Sequence, residues 1–415
     1  MLEERPSFWR RGLWWKLPLL AFVVFLGLYG YLHLSVASKF RRIRAAGQPV
    51  TLAELNAWYA LPEGPNAADV YVRAFDAMVQ DVAIEDLDFP GWDDTIDAAT
   101  IQIIGNYLAR NQEAIRLLHE AATIESCRYD IDMTQDRFQP GSFFMDHYGL
   151  TRRAAMLLRW HAILQSHLEQ PDEAVTSLHA ILRLARSLRD EPILIAHQVQ
   201  NVIEVNACRA LQTVLGSADL TDEHLARLGS AMADHAGDAS MVRALVGERC
   251  YGLHTMIEQF PLPLRFVERR AYLEMMERLI AFAADPTATM DDQHAVVDAV
   301  PSRARVTGIA ASGIAAALLS EQVRQAILNR TITAIAVRRY QLANGEPPAT
   351  LNDLVPRFLP AVPRDPSQGL PMSLTVTPTE LIVFSAKPNT TDNTQGVTDR
   401  ERERDGVHAT FTIRR

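Results

Sequence analysis

The chain has 415 residues, of which 48% are hydrophobic and 22% charged, with a formal net charge of −9. That much apolar content excludes a disordered stalk and suffices for two domains or one long helical array. The acidic balance gives no electrostatic footprint for nucleic acid, so no nucleic-acid partner is expected.

The first element is an apolar run from Leu17 to Ala37. About 20 helical residues, rising about 1.5 Å each, match a hydrocarbon core of about 30 Å. Trp9, Trp14 and Trp15 precede the run, and Tyr29 and Tyr31 lie near its end. Amphipathic rings favour the headgroup level, which fits a spanning helix. Pro18 is expected near the helix start, where a missing N–H costs least. The alternative is a cleaved signal peptide, for which Val36-Ala37-Ser38 supplies small residues; the run exceeds the usual h-region of roughly 7–15 residues. Lipid is thus the expected partner of Leu17 to Ala37. Four basic residues stand on each side: Arg5, Arg10, Arg11 and Lys16 before it, Lys39, Arg41, Arg42 and Arg44 after it. The positive-inside rule therefore does not choose an orientation.

Thr51-Leu-Ala-Glu54 reads as a capping box that opens a short helix. Asn66 reads as the N-cap of a helix through Ala67, Val70, Ala74 and Met78. Asp81 to Thr95 is loop-like, with a turn at Phe89-Pro-Gly-Trp92. Ile101 to Ala122 reads as one helix with Ile104, Leu108, Ile115 and Leu118 on its apolar stripe. Leu150, Ala154, Leu157, His161, Leu164 and Leu168 step by three and four, as do Ala174, Leu178, Ile181, Ala185 and Leu188 after Gln170-Pro171-Asp172. A third helix follows Glu191-Pro192 and runs to about Leu215. Neither of the first two buries its stripe alone, so they must pair, with the third against them. The pair resembles a tetratricopeptide-like hairpin; a plain helical bundle fits equally, since no fixed repeat period is found.

Thr221 to Asp234, Asp238 to Gln259 and Phe266 to Ala284 read as further helices. Asp285 to Pro301 reads as loop or short helix and as a boundary. Val306 to Leu319 is apolar but too short to cross a bilayer. It is expected to begin a long core helix, with Gly308 and Gly313 permitting close approach. That helix ends at Asn344-Gly345. Thr350 to Val355 makes a short capped helix. Met372 to Val376, Leu381 to Ser385 and Val407 to Ile413 read as strands, the first two joined by a hairpin at Thr377 to Glu380. The fold class is mainly α: an N-terminal transmembrane helix, a helical array, and a small α+β segment with a three-stranded antiparallel sheet on a long helix. The divisions are 1–46, 47–300 and 301–415.

Nearly all positive charge is arginine, the only lysines being Lys16, Lys39 and Lys387. The arginines are scattered, which points to coding-base bias rather than a phosphate site. Cys127, Cys208 and Cys250 are too far apart for a CxxC motif and read as buried structural thiols. No nucleophile elbow, P-loop, GxGxxG or HExxH is present. His161 reads as a core histidine, and His147 and His167 share its helix. Asp291, Asp292 and His294 read as a solvated acidic corner. Glu248 and Arg249 read as an ion pair tying helices together. The loop from Lys387 to Asp399 carries Asn389, Asp392, Asn393 and Asp399, oxygen ligands without a calcium-motif spacing. No catalytic, cofactor-binding or metal-binding residue is assigned.

Arg339-Tyr340-Gln-Leu-Ala-Asn-Gly345, Pro348, Leu351-Asn-Asp-Leu354 and Pro363-Arg-Asp-Pro366 resemble the end of type II secretion pseudopilins. The resemblance covers roughly residues 332–396 and implies a long helix followed by a small sheet. Pseudopilins place their membrane helix directly before this segment; here some three hundred residues intervene, so a borrowed module is implied rather than filament assembly. The chain is also similar to a group of bacterial membrane-anchored proteins. The shared elements are the span, Asn66-Ala-Ala68, Cys127-Arg128, Glu191-Pro192, Gly247-Glu-Arg249 and the 345–366 tail. That likeness implies architecture and envelope placement without an activity: an inner-membrane, single-pass protein with its body on the periplasmic side. Three functions follow as expectations: a scaffold or interaction protein, an accessory part of a secretion apparatus, or an envelope hydrolase with a non-motif site.

Overall fold

The computed structural model describes residues 13–414 apart from 82–83, 85–86, 92–93, 95, 136–142, 238, 259–260, 262–263, 286–287, 289, 303, 367–368 and 386–409. The chain is 69% helical, with one three-stranded antiparallel sheet near its C-terminus. The expected fold class is the observed one.

Helix α1 (Leu13–Ala45) has 33 residues, and Pro18 falls inside it rather than at its start. Helix α2 (Leu52–Trp58) is capped by the Thr51 hydroxyl, which accepts the Glu54 amide. The Glu54 carboxylate reaches one residue further back than a capping box requires, accepting the Val50 amide at 2.8 Å. Helix α3 (Ala67–Ala77) starts at Asn66, whose side chain also accepts the Arg128 amide and so fastens the chain across 62 positions.

The helix expected over 101–122 is two helices, α4 (Ala98–Arg110) and α5 (Gln112–Ala122). Asn111 makes the break. Its amide side chain is buried and bonds the Val79 amide, the Val79 carbonyl and the Tyr107 carbonyl. Asparagine competes with the helical ladder for backbone groups in this way.

The antiparallel pair is present as α6 (Phe143–His167) and α7 (Pro171–Arg186), and α8 (Leu194–Ser217) packs on both. Pro171 occupies the first position of α7, where it needs no donor. Trp160 is fully buried and stacks on Phe89, with ring centroids 4.4 Å apart, while the Arg159 guanidinium lies over the same ring. The turn residue Phe89 thus closes the hairpin's core.

Helices α9 (Asp222–Ala236), α10 (Ser240–Tyr251), α11 (Leu264–Ala284), α12 (Met290–Asp298) and α13 (Arg305–Asn344) follow. A π-helical turn, Gly252–Ile257, extends α10. Helix α13 has 40 residues and stops where expected, with Gly345 at φ 82°. Only glycine adopts that conformation cheaply. Gly345→Ala is expected to lower stability by about 1 kcal/mol, read as a shift in the urea midpoint.

Strands β1 (Met372–Val376), β2 (Glu380–Ser385) and β3 (Thr410–Arg414) form the sheet in the order β1-β2-β3. Met372 pairs with Ser385, and Glu380 with Arg414. Burial alternates along β2, and Leu381, Val383, Phe411 and Ile413 turn inward. That face covers α13, with β3 also against α8.

Apolar side chains gather in two cores. The larger joins α2–α9, the C-terminal half of α13 and the sheet. The smaller joins Val36 and Ile43 of α1 with α10, α11 and the N-terminal part of α13. Helix α13 therefore runs through both. Ala311, Ile314 and Leu318 supply its buried face in the smaller core. Gly308 and Gly313 do not: space beside both is open, and Gly313 faces outward. Close approach occurs instead at Gly247, where an added Cβ would lie 1.6 Å from the Pro192 carbonyl oxygen.

Candidate membrane interface and buried polar centres

Leu17, Leu19, Leu20, Phe22 and Leu28 of α1 are each more than half exposed, and Leu34 is 67% exposed. Contiguous apolar surface of this extent calls for a cover, because water-facing patches on monomers rarely exceed a few hundred Å². By length and composition the segment Lys16–Ala45 is able to cross a membrane, and only 11% of its most apolar window is buried. Helix α13 meets the same criterion, with 39% of its window buried.

The second half of α1 is built into the protein. Leu32, Val36 and Ile43 are buried, the latter two in the smaller core, and α1 packs on α11. The two helices run parallel, their contacts advancing together along both. Phe266 meets Tyr29 edge-on at 4.9 Å, and Arg270 donates to the Tyr31 hydroxyl at 3.1 Å. Further along, Lys39 pairs with Glu277 at 3.2 Å and Glu274 at 3.7 Å. Val36-Ala37-Ser38 is helical, with Val36 only 4% exposed.

A charged centre lies between the two cores. Arg324 of α13 donates to Glu204 of α8 at 2.5 Å and through Nε to Glu321 at 2.7 Å, with a second contact to Glu321 through Nη2. His235 Nδ1, at the end of α9, lies 2.7 Å from Glu204. His197 bridges Glu321 and Ser240, each at 3.0 Å. Every one of these side chains is buried. Burial opposes ionisation of Glu204, but the charges of Arg324 and His235 outweigh it and hold the carboxyl down at about 2. Burial likewise opposes ionisation of Glu321, and the Arg324 charge with bonds from Arg324 and His197 holds it at about 2. Four helices, α8, α9, α10 and α13, are thereby pinned at one point.

A second polar centre lies on the pair α6–α7. Ser177 is fully buried between His161 Nδ1 at 2.7 Å and His119 Nε2 at 3.0 Å. Both rings border a groove of about 430 Å³, together with Leu108, Ile115, Arg116, Gln165 and Glu173. Burial pushes His161 down to about 4, and burial also lowers His119. Both are therefore neutral at pH 7. Ser177 has a base on either side but no exposed surface, so no substrate reaches it. Its chemistry is to hold α5, α6 and α7 together.

Histidines buried as neutral rings bind protons only on unfolding. Their contribution to stability is complete above the ordinary histidine pKa near 6.5 and is lost as pH falls from there toward 4. His179, lowered to about 4 by burial and then by Arg227, adds to the same window. The urea midpoint is expected to fall across that range, and His161→Asn is expected to flatten the slope. A midpoint unchanged between pH 6.5 and 4 would contradict this placement of the rings.

Other sequence candidates are dispersed. His147 bonds Glu191 at 3.1 Å, which also accepts from Tyr148 at 2.8 Å, and His167 faces the Ile163 carbonyl. Glu248 and Arg249 do not pair with each other. Glu248 accepts the Leu194 amide, whereas Arg249 donates to Gln48 and to the Pro49 carbonyl. One helix carries both, and adjacent positions point to different neighbours. Asp292 and His294 are exposed on α12. The loop from Lys387 to Asp399 lies outside the described residues. Cys208 and Cys250 are free thiols, pushed up to about 12 chiefly by burial, and Cys127 is raised further. Among the described residues no group of three or more His, Cys, Asp or Glu is placed to hold a metal ion.

Comparisons with family models, curated proteins and solved structures return no match.

Proposed function

We propose that the chain is a single-pass protein of the bacterial inner membrane, anchored by α1, whose helical body serves on the periplasmic side as a scaffold for protein partners. The observation that carries the reading is the division of α1 into an exposed apolar half and a half packed against α11. A bilayer is the cover that suits the first half by length and chemistry. The helical setting of Val36-Ala37-Ser38, with Val36 buried, supports retention of the segment, since signal peptidases act on extended accessible chain. The scaffold role is supported by the long helical surface and by the burial of Ser177 and of the Arg324 centre.

Wild-type protein is expected to stay in the membrane pellet after an alkaline carbonate wash. Leu20→Arg with Leu26→Arg should release it, because each arginine at the bilayer centre costs about 3 kcal/mol on insertion scales. Wild-type protein in the wash would end the reading. A partner that co-purifies in mild detergent and is lost when surface residues of α6 and α7 are changed would support the scaffold role.

A second reading, an accessory component of a secretion apparatus, draws support from the order of elements after residue 305. A long helix, a 3-10 turn at Leu351–Leu354 and a three-stranded sheet follow one another. A deletion strain with normal export would count against it.

A further inference from the structure

Two helix starts lie at one level against α1, where its exposed half ends. The parallel contact puts Phe266 and Arg270, in the first turns of α11, against residues 29–33 of α1. Glu268, between them, accepts the Val306 and Thr307 amides at 3.3 and 3.1 Å and the Thr307 hydroxyl at 2.8 Å. That contact fixes the first turn of α13 at the same height. The level coincides with the aromatic end of the apolar run, where Tyr29 and Tyr31 stand.

The surface there has a definite chemistry. Ile309 is 76% exposed, the most exposed of the large apolar side chains among the described residues. Arg305 is exposed one turn before it, and Arg265, Arg269 and Arg270 are half-buried on α11. Glu258 and Glu274 accompany Arg269 and Arg270, while Glu268 is buried on the start of α13. The outward-facing charge is thus rich in arginine around one apolar side chain.

Resting on the anchored reading above, we propose that the first turns of α11 and α13 seat in the headgroup layer of an anionic leaflet, with Ile309 entering the acyl boundary and Arg265, Arg269, Arg270 and Arg305 meeting lipid phosphates. Guanidinium groups match phosphate in geometry, and an apolar residue among arginines is the pattern of interfacial segments. The body is then held by two contacts, the span and this foot, which fixes its tilt on the membrane.

The test uses the full chain with Cys127→Ser, reconstituted in phosphatidylcholine vesicles with or without phosphatidylglycerol. A bimane is placed on Ile309→Cys, on Leu26→Cys within the span, or on Leu342→Cys near the far end of α13. Lipids carrying a nitroxide near the headgroup or deep in the chain act as quenchers. The Ile309 probe is expected to be quenched by the shallow nitroxide by roughly half or more, and more strongly with phosphatidylglycerol. The Leu342 probe should be unaffected. Arg265→Gln with Arg305→Gln should reduce quenching at Ile309 and leave the Leu26 probe unchanged. Quenching at Leu26 without quenching at Ile309 overturns the foot and leaves the anchor standing; quenching at neither overturns both. Equal quenching with and without the anionic lipid overturns the role of the arginines. Crosslinks between Ile309→Cys copies without lipid quenching would assign the surface to a second copy of the chain and overturn the proposal.

Discussion

Arg324→Met is expected to destabilise the protein by about 3–5 kcal/mol, the cost of leaving a buried partner charge uncompensated. The guanidinium lies between two carboxylates, Glu204 and Glu321, each buried. Removing it strands both in a medium that solvates charge poorly. Urea unfolding in mild detergent gives the number, and a change under about 1 kcal/mol would contradict the geometry. The triple change Arg324→Met, Glu204→Gln and Glu321→Gln should cost much less, because no charge is then stranded. The same centre sets an acid transition. Both carboxyls lie below the ordinary value of 4.5, so the folded state releases their protons more readily than the unfolded one. Their stabilisation is therefore full above about 4.5 and lost as pH falls toward 2. This step should follow the histidine step on acidification and should vanish in the triple variant.

Gly247→Ala is expected to cost about 3 kcal/mol or more, at the upper end for overpacking. The new methyl would stand 1.6 Å from the Pro192 carbonyl oxygen and 2.5 Å from its carbon. Both are backbone atoms of a buried residue, so no side chain can swing aside. Helix α10 would have to lift from the 191–194 segment, breaking the bond from the Leu194 amide to Glu248 and straining the one between His197 and Ser240. Gly313→Ala supplies the contrast. Its site is helical and open, so it should be neutral or stabilising by about 0.5–1 kcal/mol. Equal midpoints for the two variants would refute the close contact of α10 with Pro192.

Periodicity and capping residues made most of the elements legible. Thr51, Asn66, Thr221 and Gly345 mark ends that the structure places where their chemistry demands. Local signals failed where a distant partner decides the outcome. Asn111 breaks a helix because Val79 offers it backbone groups, and Gly247 is needed because Pro192 lies against it. The charged centre is barely legible in the sequence. Glu204, His235 and Arg324 sit 120 positions apart at the extremes, and each reads alone as a surface residue on an ordinary helix. Only the crossing of α13 over α8 and α9 brings them together. A partial signal lies in Glu321 and Arg324, spaced three apart and directly after the apolar run 306–319 that has to be buried. Ser177 gives no signal, although its neighbour His161 lies on the apolar stripe.

The most direct measurement is cysteine accessibility along α1 in native membranes, with Cys127→Ser as background. Single cysteines at Leu20 and Leu26 should resist a charged maleimide, while those at Arg41 and Leu61 should react on the side where the body lies. If Leu20 and Leu26 react as fast as Leu61, α1 is bathed in water and the protein is not anchored by it.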